Sequence, residues 1–304
     1  MSHKRLYYTF NQFLREKFAF KVRKISLNAG FTCPNRDGKI GYKGCIYCYN
    51  PGFTPYTGLH FKTIDSQIQH GKAQLKKYGF KGKFLAYFQA YTNTYAPVAT
   101  LKELYDEALK DDEVVGIAIS TRPDCVSEDV LLLLEEYAQK THVWIEYGLQ
   151  SANDNTLKFI NRGHNYAQFA DAVERTQGRG IFICAHIILG LPGENIAHMY
   201  ETVKKISHLK LDGIKIHHLQ IVKNTLLEKM YRRKEVKVFY PEEYIHIVCN
   251  IIELLPTDIV IHRLMGDIRE EFLVAPQWGE KKSEVLSMIE KELTKRGSYQ
   301  GLKS

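Results

Sequence analysis

The chain has no apolar run approaching the roughly 20 residues that cross a bilayer; Val130 to Leu134 is among its longest. A membrane-spanning segment is therefore not expected. Cysteine is scarce, six in 304 residues, which excludes a disulfide scaffold and makes spacing more informative than number. There is no 20–50-residue repeat, low-complexity tract or Pro/Ser-rich linker, which argues against a solenoid or a string of small modules. The opening MSHKRLYYTFNQFLREKF has no continuous apolar segment behind its charges, so a secretory signal is not expected and a cytoplasmic location is.

What is present is an ordinary globular composition, 44% hydrophobic and 25% charged, with enough length for a large core. The net charge of +8 is unevenly distributed. Residues 1–83 carry sixteen basic and three acidic side chains, whereas 84–304 carry twenty-six basic and thirty-one acidic ones. A front-loaded positive field suits a polyanionic partner, although a merely solvated basic surface is the simpler alternative.

Short β-branched, apolar runs at 22–28, 84–90, 114–120, 143–149, 181–189 and 213–221 alternate with helix-period segments near 64–78, 98–110, 128–140, 165–177 and 196–209. Near-continuous apolar strands separated by amphipathic helices predict a parallel sheet with crossover helices. Six such units, with 258–262 as a weak further strand, predict an α/β fold: a six-unit partial (β/α) barrel rather than a closed eight-unit one. The expected organisation is a basic N-terminal extension (1–20), the barrel (21–270) and a C-terminal helical extension (271–304). Chemistry in such folds gathers at the carboxyl ends of the strands.

The first strand is followed by a loop of more than thirty residues, and loops of that length are usually functional. It contains NAGFTCPNRDGKIGYKGCIYCYNPG, with Cys33, Cys45 and Cys48 threaded between glycines. The C-x2-C pair can reach one metal centre from a single turn of chain, and Pro34 biases Cys33 toward an extended conformation. Three thiolates fit an iron–sulfur cluster with one open iron. They fit equally a structural zinc site closed by a fourth ligand such as His60. Three unrelated cysteines are the bland alternative. Cys184 and Cys249 sit in apolar segments and read as inert core residues; Cys125, at a probable strand end, is left open.

Further motifs follow the strands in order: STRPD (120–124), IEYGLQSANDNTLKFINRGH (145–164), ILGLPGE (188–194) and HRLMGD (262–267). Together with the cysteine loop, they resemble the radical S-adenosylmethionine (SAM) superfamily, in particular its bacterial Elongator-like family. The similarity spans roughly residues 20–270. The C-x11-C-x2-C spacing departs from the superfamily's usual C-x3-C-x2-C, but expanded gaps are a feature of the Elongator group. The resemblance implies that Cys33, Cys45 and Cys48 ligate one 4Fe–4S cluster. SAM is the implied second cofactor, cleaved to a 5′-deoxyadenosyl radical that abstracts hydrogen from the substrate. The backbone around Tyr47 would meet the SAM adenine, with Gly190 and Gly193 allowing close approach. Gln150 and Arg162 match positions that hold the methionine part. Ser120 and His186 stand where relatives often carry acidic SAM or substrate contacts. Gln89 and Asn93, with Tyr91 and Thr92, replace a glycine-rich segment ending in Glu and would supply neutral contacts. No catalytic acid–base residue is assigned.

The resemblance further implies a tRNA-modifying enzyme acting on a wobble uridine side chain, taking 5-carboxymethylaminomethyl-(2-thio)uridine to its 5-aminomethyl form. Its implied partners are tRNA and a flavodoxin- or ferredoxin-type electron donor. Lys4, Arg5, Arg15, Lys17, Lys21, Arg23, Lys24, Lys72, Lys76 and Lys77 would meet phosphates, and Tyr7, Tyr8 and Phe10 would stack on bases or instead pack the first helix. Only about 35 residues follow HRLMGD, too few for an acetyltransferase domain. Two alternatives remain: radical chemistry on a small metabolite or protein side chain, and a zinc-stabilised nucleic-acid binding module without catalysis. Glu146, flanked by apolar residues on strand four, requires a partner or a function wherever it faces inward.

Overall fold

The structure is a computed structural model that describes residues 5–54 and 63–304; Lys4 and His60 lie outside the described residues. In chain order, the first half runs α1 (Phe10–Lys17), β1 (Val22–Leu27), α2 (Asn50–Phe53), α3 (Ile64–Lys77), β2 (Lys83–Phe88), α4 (Val98–Leu109) and β3 (Val114–Thr121). It continues with α5 (Glu128–Ala138), β4 (His142–Gln150), α6 (Asp154–Phe159), α7 (Tyr166–Thr176), β5 (Phe182–Leu189), α8 (Ile196–Ser207) and β6 (Gly213–His218). The last part holds β7 (Ile221–Val222), α9 (Leu226–Arg232), α10 (Pro241–Leu254), β8 (Val260–Arg263), β9 (Leu273–Ala275) and α11 (Lys282–Arg296).

Seven strands form one parallel sheet in the order β1-β2-β3-β4-β5-β6-β8. The six expected strands are all there, and the weak seventh, β8, pairs with β6 at the far edge. Buried apolar residues such as Phe84, Phe88, Ile117, Ile119, Ile145 and Ile187 sit under the helices. Helix starts follow local chemistry: Asn165 and Asn195 cap α7 and α8, each accepting from the backbone N–H three residues on.

The sheet is curled into a half-barrel. Lys24 on β1, His186 on β5 and Lys215 on β6 all reach the carboxylate of Glu146 on β4, which a flat sheet could not allow. Below this layer, α1 closes the amino end of the barrel. Its Phe10 and Phe13 rings pack edge-on against Trp144, at 5.7 and 5.4 Å between centroids. The preceding residues bridge to β8 through Thr9 and Ile261. Tyr7 is buried with its hydroxyl on Glu290. Tyr7 and Phe10 are therefore packing residues, and the base-stacking expectation for them is corrected. Within the segment 271–304, β9 follows a short 3-10 turn (Glu270–Phe272) and pairs with β7, before α11 packs on α10. Among the described residues, no helix is long and apolar enough to cross a membrane.

Several histidines are buried as neutral rings. His142 accepts the Trp144 indole N–H at 2.8 Å, and His218 accepts the Gly266 backbone N–H at 3.3 Å. Burial pushes each down to about 4. The unfolded chain thus takes up protons near pH 6.5 that the folded chain refuses until about pH 4. Stability should be fully present above pH 6.5 and fall as pH drops through this window, by up to about 1.4 kcal/mol per pH unit for each ring. Thermal melts at pH 7.5, 6 and 5 test this, and His142→Gln should flatten the dependence.

Candidate active site

One cavity opens at the carboxyl ends of the strands. Its lining includes Cys33, Cys45 and Cys48 together with Tyr47, Gln89, Ser120, Gln150, Arg162 and His186. Five residues distant in sequence, Gln89, Ser120, Gln150, Arg162 and His186, are thereby gathered around the cysteine loop.

The loop folds through turns that place its thiols. Two backbone N–H groups, of Arg36 and Asp37, bond the Cys33 carbonyl, and the Cys48 N–H bonds the Cys45 carbonyl at 3.1 Å, so the C-x2-C pair spans one turn. Gly44 has φ +71°, and a Cβ there would meet the Arg36 guanidinium at 2.9 Å; that guanidinium donates to the Cys48 carbonyl at 2.5 Å. The loop is clamped to the turn after α6. Asn35, buried, donates to the carbonyls of Asn161 and Arg162 at 2.8 and 2.9 Å. Asn161 donates back to the Gly44 carbonyl at 2.7 Å. Arg122 of STRPD, held by Asp124, supports the same turn through the Arg162 carbonyl at 2.7 Å.

Three side chains present N–H groups to thiol sulfur: Asn35 and Arg162 to Cys45, at 3.6 and 3.7 Å, and Asn50 to Cys48 at 3.7 Å. Such hydrogen bonds tune thiolate-held clusters. Burial, reinforced by Cys45, pushes the Cys48 thiol up to about 11, so without a metal centre Cys48 stays protonated at neutral pH, and metal binding is what would hold it as a thiolate. Among the described residues, no three His, Cys, Asp or Glu side chains converge on a single metal-ion position. Asn35→Ala should leave the fold intact but accelerate iron loss to a chelator on the order of 10–100-fold, the usual cost of removing a ligand-orienting group.

The other expected residues divide. Arg162 is buried, and its guanidinium donates to the Gly148 carbonyl at 2.6 Å as well as to Cys45. A Cβ on Gly148 would meet that guanidinium at 2.6 Å and the Gln150 amide at 2.8 Å, which explains glycine there. Gln150 closes β4 in the left-handed region at φ +78°. Gln89 donates to the Phe53 carbonyl at 3.2 Å. His186 lies 3.0 Å from Glu146, and burial followed by Lys215 holds it down at about 4, a neutral ring donating to the carboxylate. Asn93 and Gly190 are not brought into the cavity. Asn93 is fully buried, donating to the Ser120 carbonyl at 2.8 Å. Gly190 lies against Phe239, whose ring a Cβ would meet at 2.7 Å.

Sequence reasoning missed Asn35, Arg122 and Asn161 as clamps; the STRPD and INRGH motifs signalled their neighbourhood, and nothing signalled Asn35. It also placed Lys24, Lys72 and Lys76 on phosphates. Lys24 instead faces Glu146 at 2.6 Å, and Lys72 and Lys76 pair with Asp111 and Glu113. Arg15, Lys17, Lys21, Arg23 and Lys77 remain exposed without a carboxylate partner among the described residues.

A parallel half-barrel whose carboxyl mouth holds three cysteines defines the class of enzymes that bind an iron–sulfur cluster and SAM together. Residues 31–206 match the Radical SAM superfamily and residues 211–295 the Radical_SAM C-terminal domain. The chain belongs to the radical SAM superfamily, within its Elongator-like family. It is 41% identical to YtqA of Bacillus subtilis (strain 168) over 295 residues, covering 97% of this chain and 92% of that protein. It is 27% identical over 201 residues to the tRNA uridine(34) acetyltransferase of Methanocaldococcus jannaschii, covering 63% of this chain and 36% of that protein. In fold it is similar to the archaeal Methanocaldococcus infernus Elp3 with N-terminus deletion, at TM-score 0.69 and 21% identity over 92% of this chain and 64% of that one.

Proposed function

We propose that the protein modifies the side chain of a wobble uridine in tRNA, converting 5-carboxymethylaminomethyl-(2-thio)uridine to the 5-aminomethyl form. The observation that carries this reading is the similarity of its barrel to an enzyme named for uridine 34 of tRNA. The exposed cations of the N-terminal region (Arg15, Lys17, Lys21, Arg23), which have no carboxylate partner among the described residues, suit a phosphate backbone.

In this reading Cys33, Cys45 and Cys48 hold the cluster, and Asn35, Asn50 and Arg162 orient and hydrogen-bond the sulfurs. Arg162, whose guanidinium donates to the Gly148 carbonyl and Cys45, would with Gln150 also hold the methionine part of SAM, since a guanidinium has five N–H donors. Tyr47, Gln89, Ser120, Gln150 and His186 line the space for SAM. When bound, the cluster and SAM supply a carbon-centred radical that abstracts hydrogen; the protein's part is to position both and exclude water. A flavodoxin- or ferredoxin-type donor would provide the electron. Acetyl transfer is not part of the proposal.

Nucleoside profiles of bulk tRNA from a strain lacking the gene test it. The expected result is accumulation of the carboxymethylaminomethyl nucleoside and loss of the aminomethyl one, restored by the wild-type chain and not by Cys45→Ala. Unchanged tRNA nucleosides would transfer the radical chemistry to a small-molecule or protein substrate.

A further inference from the structure

The layer beneath the cavity is charged out of balance. Glu146, fully buried, is the shared carboxylate of Lys24, Lys215 and His186. Lys215 is buried, with its ammonium also donating to the Tyr87 hydroxyl at 3.0 Å. On the neighbouring strand, Arg263 is the register partner of Lys215. Arg263 is half-buried, lines the cavity, and has no ion-pair or hydrogen-bond partner among the described residues. Two residues beyond Lys215, on the same face of β6, His217 also lines the cavity. Its Nε2 atom is buried without a partner among the described residues. The remaining lining carboxylate, Asp267, is drawn outward to Lys282 at 2.7 Å.

Two ammonium groups and the neutral His186 ring thus share one buried carboxylate, and a half-buried guanidinium faces the cavity beside an unsatisfied imidazole nitrogen. Leaving such groups unmatched in a cavity is costly, and an anion arriving from outside would satisfy them. A guanidinium fork suits a carboxylate held by two parallel hydrogen bonds. We propose that Arg263 and His217, backed by Lys215, form a subsite that recognises a carboxylate on the substrate. Resting on the function proposed above, this carboxylate is that of the carboxymethyl group, and its capture on β8 aims the group to be removed into the cavity shared with the cysteines.

The test uses the anaerobically reconstituted holoenzyme and two anticodon stem-loop RNAs, one carrying 5-carboxymethylaminomethyluridine and one 5-aminomethyluridine, with SAM affinity measured in parallel. Wild type should prefer the carboxylate-bearing RNA by roughly 10- to 100-fold, the worth of a charge-assisted pair. Arg263→Gln should lose the preference while keeping its melting temperature and SAM affinity, and Arg263→Lys should retain part of it. Equal binding of both RNAs by wild type, or a preference that persists in Arg263→Gln, overturns the subsite and leaves the tRNA reading standing. A loss of SAM affinity in Arg263→Gln with the RNA preference unchanged assigns the arginine to the SAM carboxylate and also overturns it. Binding of neither RNA refutes the tRNA reading and the subsite with it.

Discussion

Cys45→Ala, and equally Cys33→Ala or Cys48→Ala, should yield protein that folds but emerges colourless from anaerobic iron–sulfide reconstitution and forms no 5′-deoxyadenosine above background. The three thiols lie on one loop and line one cavity, and the loop's backbone is anchored by Asn35, Asn161 and Arg122 rather than by the sulfurs. Removing a thiol therefore takes away a ligand without dismantling the clamp. Cys184 and Cys249 make the control. Both are fully buried away from the loop, with the Cys249 sulfur against the Ile289 carbonyl in the α10–α11 packing. Alanine at either should leave the iron content unchanged. Iron analysis and absorbance of the five single variants decide the matter: iron retained by any of the three loop variants, or lost in the two controls, would contradict the assignment.

Glu146→Leu should be the most destabilising single substitution in the barrel interior. It removes the carboxylate shared by Lys24 and Lys215 and leaves two ammonium groups facing each other in a buried layer. Breaking a buried pair by deleting one partner costs about 3–5 kcal/mol, which in a chain of this size corresponds to a fall in Tm of roughly 5–8 °C. Glu146→Gln keeps the shape and an acceptor oxygen and should cost less. Burial alone would push the Glu146 carboxyl up, but Lys215 and then Lys24, with the His186 hydrogen bond, outweigh it and hold the carboxyl well below its usual range. Its contribution is thus fully present above about pH 4.5 and is lost only as pH falls further through the folded value. The buried histidines lose theirs first, between pH 6.5 and about 4. Melts of both variants at neutral pH test the magnitude; a Glu146→Leu protein as stable as wild type would show that the lysines find water or another partner.

The alternating strand and helix pattern was legible because each element carries its own period. All six expected strands appear with ends shifted by at most a few residues. The cysteine loop was legible as a spacing. What the sequence hid is non-local. Lys24 reads as one more cation of a basic N-terminal run, and only the curl of the sheet turns it inward to a carboxylate 122 residues away. Lys72 and Lys76 look free until α3 is set beside the acidic turn holding Asp111 and Glu113. Tyr7 and Phe10 read equally as base-stacking or packing residues until α1 is seen closing the barrel floor, which settles them as packing. Asn93 and Gly190 stand at the right places in the chain, but a hydrogen bond to Ser120 and the ring of Phe239 hold them out of the cavity. Arg263 was passed over because its significance lies in having no partner, which a sequence cannot display.

The most direct measurement is an anaerobic reaction of the reconstituted protein with SAM, a strong reductant and tRNA bearing 5-carboxymethylaminomethyluridine, following 5′-deoxyadenosine and tRNA nucleosides together by mass spectrometry. The expected result is 5-aminomethyluridine appearing in step with 5′-deoxyadenosine, both absent with Cys45→Ala. Formation of 5′-deoxyadenosine with every tRNA nucleoside unchanged would contradict the proposed substrate, and formation of neither by brown, cluster-loaded protein would contradict the assigned chemistry itself.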